Sequence, residues 1–252
     1  MAGKPEIHIA QAQHKWAMEA AALVQEFGTR AIHDHGRFFI ALSGGTTPER
    51  LYRTLASPPY AAQFDWSKTT FFFGDERCVS PDHPDSNFGL ASRTLFAPLA
   101  IPPEHIHRMR GEVADPEAAA LDYERKLRTI DSPTKTTSPQ LDLLLLGLGQ
   151  DGHTASLFPG TKAVSEQQQL VAVGHAPTGI VTRLTLTLGV INQASVVLFL
   201  IMGADKAKIV KRILEPETDA DRQLPAALVK PHSGRLIWML DGPAAALLTM
   251  NP

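Results

Sequence analysis

The chain of 252 residues contains one cysteine, Cys78, so neither an internal disulfide nor a CxxC-type zinc site can form, a usage that fits a reducing compartment. It also lacks a basic run: 24 Lys and Arg stand against 26 Asp and Glu, for a formal charge of −2. A nucleic-acid-binding surface would leave a cationic footprint. Long apolar runs are missing as well. The longest, Val196 to Met202, is far short of the about 20 residues that a membrane-spanning helix needs. The N-terminal stretch MAGKPEIHIAQAQHKW is polar and has no apolar core of the secretory type. These absences set the expectation of a soluble, cytoplasmic protein with no nucleic-acid or membrane partner. Aromatic residues are few, at 7%, but the 44% hydrophobic content is ample for a core. At this length folding buries about 70–75% of the unfolded chain's surface.

Four apolar runs organise the sequence, and each ends in a polar or glycine-rich segment. Phe38 to Leu42 leads into Ser43-Gly44-Gly45-Thr46-Thr47-Pro48, and Thr70 to Phe73 into Gly74-Asp75-Glu76-Arg77. Leu141 to Leu148 leads into Gly149-Gln150-Asp151-Gly152-His153, and Ser195 to Met202 into Gly203-Ala204-Asp205-Lys206. Continuous rather than alternating apolar runs indicate strands covered on both faces, as in a parallel sheet between helices. Glu6 to Ala10, Arg183 to Leu186 and Arg235 to Leu240 are further candidate strands. Trp16 to His33 carries apolar residues at spacings of three and four and predicts an amphipathic helix; Pro116 to Ile130 and Lys206 to Leu214 read alike. The alternation of strand and helix gives an α/β layered fold. Asp131 to Gln140 has linker composition, yet the same grammar continues on both sides, so residues 1–252 are expected to form one domain with a surface loop there.

In open parallel sheets ligands bind beyond the carboxyl ends of the strands, which directs attention to those four loops. The first, SGGTTPE, lets backbone N–H groups approach an anion and opens a helix, with Thr46 or Thr47 as cap, Pro48 in the first turn and Glu49 completing a capping box with Thr46. It reads either as a phosphate loop or as a tight strand-to-helix turn; no GK[ST] follows, so it is not a Walker A loop. In the third loop, Gly147-Leu148-Gly149-Gln150-Asp151-Gly152 matches G-x-G-x-x-G, but Pro159 and Gly160 break the segment soon after and no suitably placed acid follows. The dinucleotide reading is rejected. What remains there is Asp151 beside His153, either a general base with its orienting carboxylate or a histidine that hydrogen-bonds its own loop. In the second loop, a polar stretch suited to a rim or lid, Asp75 and Arg77 can meet substrate oxygens and Asn87 can contribute an amide; a structural ion pair of Arg77 is the competing reading. Lys206, in the first turn of its helix, sits where the dipole disfavours a cation by up to about 1 kcal/mol, a place for a lysine that awaits an anion or simply a solvated one. Arg183, at the start of TRLTLTL, is likewise either functional or exposed. No metal is expected, because no His/Cys/carboxylate cluster has ligand spacing.

Taken in order, ALSGGTTPERLY, FFFGDERCVSPDHPDSNFGLA, LDLLLLGLGQDGHTASLFPG, RLTLTLGVINQASVVLFLIMGADKAKIV and LPAALVKPHSGRLIWMLD resemble the 6-phosphogluconolactonase family across most of the chain, from about Phe38 to Asp241. The resemblance implies a three-layer α/β/α fold with a mostly parallel, Rossmann-like sheet, shared with glucosamine-6-phosphate deaminases and, more distantly, ribose-5-phosphate isomerases. It implies hydrolysis of 6-phospho-D-glucono-1,5-lactone by an enzyme without a cofactor, acting as a monomer or homodimer on a phosphosugar lactone. His153 and Asp151 are then the catalytic residues, and Ser43, Gly44, Gly45, Thr46, Asp75, Arg77, Asn87, Arg183 and Lys206 bind substrate and its phosphate. The deaminases are the rival, since they carry similar loops. They continue, however, with a Phe-Asn-Glu-Pro element whose glutamate assists the histidine, and this chain has Phe158 in that place. They also have Glu-Tyr where Glu76-Arg77 stands here. A non-catalytic sugar-phosphate sensor is the second alternative.

Overall fold

The computed structural model describes residues 4–130 and 139–249, so most of the linker candidate Asp131 to Gln140 lies outside the described residues. Six strands form a wholly parallel sheet in the order β1-β9-β8-β5-β2-β3, built from β1 (Glu6–Ile9), β2 (Phe38–Leu42), β3 (Thr69–Phe73), β5 (Leu143–Leu146), β8 (Val196–Ile201) and β9 (Arg235–Leu240). The two apolar runs nearest its centre are buried at every position, Leu143–Leu146 and Val196–Ile201, as strands covered on both faces must be. Leu141 to Leu148 predicts a longer strand than forms. Only Leu143–Leu146 are assigned to the strand, because the chain turns away at Gly147 and Gly149.

A second, three-stranded antiparallel sheet joins β4 (Asp75–Arg77), β7 (Thr182–Leu186) and β6 (Val171–His175) in the order β4-β7-β6. The polar stretch after β3 is therefore not wholly a rim loop: its first residues pair with β7, and Asn87–Ala91 forms a short helix. Helices cover the parallel sheet on both sides and complete the three-layer α/β/α arrangement. The four longest are α1 (Trp16–His35), α2 (Thr46–Leu55), α3 (Pro116–Leu127) and α4 (Ala207–Leu214). Of the stripe read in α1, Ala20, Val24, Phe27 and Ala31 are buried and Leu23 and Ile32 partly so, with Trp16 buried beside them, and the helix ends where Gly36 takes φ +81 and its N–H returns to the Ile32 carbonyl. α3 opens on Asp115, whose carboxylate accepts from the N–H groups of Glu117 and Ala118, with Pro116 first in the helix. It stops at Leu127 rather than Ile130.

The strand order reverses direction between β2 and β5. From β2 the chain steps outward to β3; from β5 it steps the other way to β8 and β9. Loops leaving the carboxyl ends of β2 and β5 thus diverge and open a crevice, which is where a ligand fits in such a sheet. Among the described residues no helix is long and apolar enough to cross a membrane.

Away from the crevice, Arg108 grips Glu112 through two bonds of 2.9 and 2.7 Å while lying over the Phe88 ring. The guanidinium holds the Glu112 carboxyl down to about 2 from its ordinary 4.5. Because the folded value lies below the unfolded one, the pair's contribution is present above pH 4.5 and is lost as pH falls toward 2. Glu112→Gln should therefore melt lower than wild type at neutral pH and show a shallower fall in Tm across that acid window. Parallel melting curves for the two proteins would mean that the pair does not stabilise the fold.

Candidate active site

β2 ends in Ser43, and the chain there is held by a residue the sequence reading overlooked. Tyr52 of α2, fully buried, accepts from the Ser43 N–H at 3.0 Å and donates to the Ser43 carbonyl at 2.6 Å. Burial pushes its phenol well above the ordinary range, so it stays a neutral clamp. Gly44 follows in close contact with Asn87: a methyl group on it would overlap Asn87 Oδ1. Gly45 has φ +104 and is itself the N-cap of α2.

Here the expected capping box fails. Thr46 is already helical, no side chain caps the helix, and Glu49 turns outward to pair with Arg53 at 2.7 Å. Pro48 does lie in the first turn. The initial N–H groups of α2 are consequently left without side-chain partners at the edge of the crevice, with the positive end of the helix dipole behind them.

The second segment forms a buried scaffold. Asp75 accepts from Asn87 Nδ2 at 3.0 Å through one carboxylate oxygen and from Ser156 Oγ at 2.7 Å through the other. Both oxygens are thus engaged by the protein, and the carboxylate holds Asn87 in place at the cavity that both line. Glu76 accepts from the N–H groups of Arg77, Asn87 and Phe88 at 2.7–2.8 Å and from Ser86 Oγ at 3.1 Å. Burial pushes its carboxyl up, against the pull of those backbone bonds. The outcome is a rigid frame that carries Arg77.

Arg77 faces Arg183 directly across the β4–β7 ladder. Like charges opposite one another destabilise a strand pair, and among the described residues neither forms an ion pair with a carboxylate. Arg77 donates instead to the Asp85 carbonyl and Arg183 to the Ile180 carbonyl. Burial, and after it the like charge of Arg77, holds the Arg183 guanidinium below its ordinary value. Two neighbouring cations with no carboxylate in ion-pair contact make a wall that suits an anion.

The third loop folds tightly on itself, with the Gly149 N–H bonded to the His153 carbonyl and Gly152 at φ +86. Asp151 Oδ1 accepts from the His153 backbone N–H at 3.1 Å and meets the ring Nδ1 at 2.6 Å. Since a carboxylate only accepts, Nδ1 carries the proton and the neutral ring keeps its lone pair on Nε2. Phe158 packs against the imidazole with ring centroids 4.5 Å apart. A side chain on Gly149 would overlap both His153 Nδ1 and Asp151 Oδ1, so this pair can form only beside a glycine. Ala155, left-handed at φ 48, also borders the crevice.

Lys206 is the residue before α4, not in its first turn; a single 3-10 turn, Ala204–Lys206, precedes the helix. Ser43, Gly44, Gly45, Thr46, Asp75, Arg77, Asn87, His153, Arg183 and Lys206 all line one cavity of about 220 Å³. Of the residues expected at the site only Asp151 is outside that lining; it borders an adjoining cavity that His153, Arg77 and Arg183 share. The sequence reading missed Tyr52 and Ser156, whose contribution is hydrogen bonding behind the site and leaves no mark in a loop motif. Among the described residues, no group of three or more His, Cys, Asp or Glu side chains converges as a metal site.

Known proteins resemble this chain in sequence and in fold. A profile of the family described as glucosamine-6-phosphate isomerases/6-phosphogluconolactonase matches residues 11–238. A 6-phosphogluconolactonase of Synechocystis sp. is 45% identical over 213 residues, spanning 84% of this chain and 85% of the relative. That of Homo sapiens is 41% identical over 236 residues, or 91% of this chain and 90% of the relative. Among solved structures, the 6-phosphogluconolactonase from Trypanosoma brucei matches with a TM-score of 0.85 at 28% identity, over 98% of this chain and 99% of that one. With the profile and relatives of this identity each spanning most of its length, the chain belongs to the 6-phosphogluconolactonase family.

Proposed function

We propose that the protein hydrolyses 6-phospho-D-glucono-1,5-lactone to 6-phosphogluconate, with His153 as general base. The observation that carries this reading is the Asp151–His153 contact, at 2.6 Å, which presents His153 to the cavity lined by the uncapped start of α2 and by Lys206. Neutral His153 takes a proton from water through Nε2 as the water oxygen attacks the lactone carbonyl. Asp151 steadies the imidazolium that results. Collapse of the tetrahedral intermediate breaks the bond from carbonyl carbon to ring oxygen, and the imidazolium returns its proton to that oxygen. Lactones open without help at a finite rate, so one well-placed base meets much of the demand.

The substrate's phosphate carries about −1.5 to −2 charges, and a protein of net charge −2 offers no general attraction. Binding is therefore local: Ser43, Gly44, Gly45 and Thr46 at the helix start, Lys206, and the Arg77–Arg183 wall. Phe158 against the imidazole favours the lactonase over the deaminase, because a phenyl ring neither titrates nor exchanges protons with the histidine. One domain is the reading that fits the sheet, in which β5 lies between β2 and β8 and so unites the segments before and after residues 131–138. A cytoplasmic location fits the lone Cys78.

Freshly prepared phosphogluconolactone and glucosamine 6-phosphate, offered separately, test the assignment. Acid release above the spontaneous rate is expected from the first and no ammonium from the second; ammonium release would replace the lactonase with the deaminase, and binding alone with the sensor. Lys206→Ala should lower kcat/KM for the phosphorylated lactone about thirtyfold, the equivalent of ~2 kcal/mol for a charged hydrogen bond. Unphosphorylated gluconolactone should be turned over as before. Equal losses on both substrates would remove Lys206 from the phosphate site.

A further inference from the structure

Lys206 does not face the cavity unopposed. Its Nζ lies 3.5 Å from Oδ2 of Asp205, an acid next to it in sequence and about half exposed. A charge-assisted N–H···O bond settles near 2.7–2.9 Å, so this ion pair is stretched. The same Oδ2 accepts a hydrogen bond of 3.0 Å from Nε2 of Gln150, which belongs to the loop after β5 that also carries Asp151 and His153. Gln150 thus reaches across from the histidine's loop to that of the lysine, and its amide is foremost among the contacts that hold the Asp205 carboxyl below its ordinary value.

Asp205 and a substrate phosphate compete for one ammonium group. An aspartate that closed fully on Lys206 would cancel the charge the cavity presents. An amide donating to the oxygen nearest the lysine limits that closure, because it fixes the carboxylate's rotamer and takes up lone-pair density that Nζ would otherwise use.

We propose that Gln150 is a positioning residue for phosphate recognition: by holding Asp205 it keeps Lys206 available to a phosphorylated substrate. The inference rests on the lactonase reading and specifies how its phosphate site is kept open. It also makes the loop that carries the histidine responsible for the state of the lysine.

The test is the Gln150→Leu variant, alone and combined with Asp205→Asn. Gln150 is exposed, and equal melting temperatures establish that the variants fold. Gln150→Leu is expected to raise KM for the phosphorylated lactone about fivefold, the scale of one exposed ion pair, with kcat unchanged and unphosphorylated gluconolactone unaffected. Adding Asp205→Asn removes the competing charge and should restore KM. An unchanged KM in Gln150→Leu, equal shifts on both substrates, or no recovery in the double variant would each overturn the proposal. Calorimetric titration with inorganic phosphate repeats the comparison without turnover. A wild-type protein that fails to open the lactone, yet binds phosphate about fivefold more tightly than Gln150→Leu, would sink the lactonase reading and leave the role of Gln150 standing.

Discussion

His153→Ala is expected to lower kcat for phosphogluconolactone about 10³-fold, or ~4 kcal/mol in barrier, with affinity for 6-phosphogluconate within about twofold of wild type. The separation follows from geometry. The imidazole's Nδ1 is spent on Asp151, so Nε2 is the atom left for chemistry. The groups assigned to the phosphate come from other elements: the start of α2, Lys206 and the Arg77–Arg183 ladder. Deleting the ring removes the base and leaves that cradle intact. Steady-state rates above the spontaneous background, with calorimetry on the product, measure both halves. Near-wild-type kcat would dismiss His153 as the base, and a collapse of product affinity would show that the ring binds substrate instead.

Gly149→Ala should cost about a hundredfold in kcat although it adds one methyl group and removes nothing chemical. The residue's backbone is not left-handed, so alanine can adopt its conformation; the conflict is purely spatial. The new methyl would overlap the Nδ1 atom of His153 and Oδ1 of Asp151. Either the ring swings away or the carboxylate does, and the tautomer that places the lone pair on Nε2 is no longer enforced. KM for the phosphorylated lactone should change little. A crystal structure of the variant with the histidine–aspartate contact preserved, or a kcat within about threefold of wild type, would mean that the glycine is there for the turn alone.

The parallel sheet was legible because its central strands are buried on both faces. Val196–Ile201 has no polar residue to confuse the pattern, and Arg235–Leu240 was bounded to the residue. Of the antiparallel sheet β7 was legible, as Arg183 to Leu186, but its two partners were not. Asp75–Arg77 has three charged residues and qualifies as a strand only through its partner, a hundred residues away in sequence, so no local period can reveal it. The capping box was misread for a related reason. Thr46 and Glu49 have the correct spacing, but the choice between reaching back to the helix start and pairing with Arg53 is made by surroundings that a motif does not record. At the cavity, the side chains assigned to the chemistry stood out in the loops. The residues that hold them, Tyr52, Ser156 and Gln150, did not, because a supporting hydroxyl or amide looks like any other.

Glycine at the cap of α2 has a consequence for how the free protein and the occupied one differ. A serine or aspartate at position 45 would satisfy the first N–H groups of the helix permanently, at a gain of about a few tenths of a kcal/mol over glycine. It would also fill the place proposed for the anion and bar the left-handed turn at φ +104. On the proposed phosphate site, the chain keeps one helix unfinished and the ligand completes it. Selection for a stiffer α2 and selection for a working site pull on that one residue in opposite directions, so variants chosen for heat resistance alone should drift toward a closed, inactive cap.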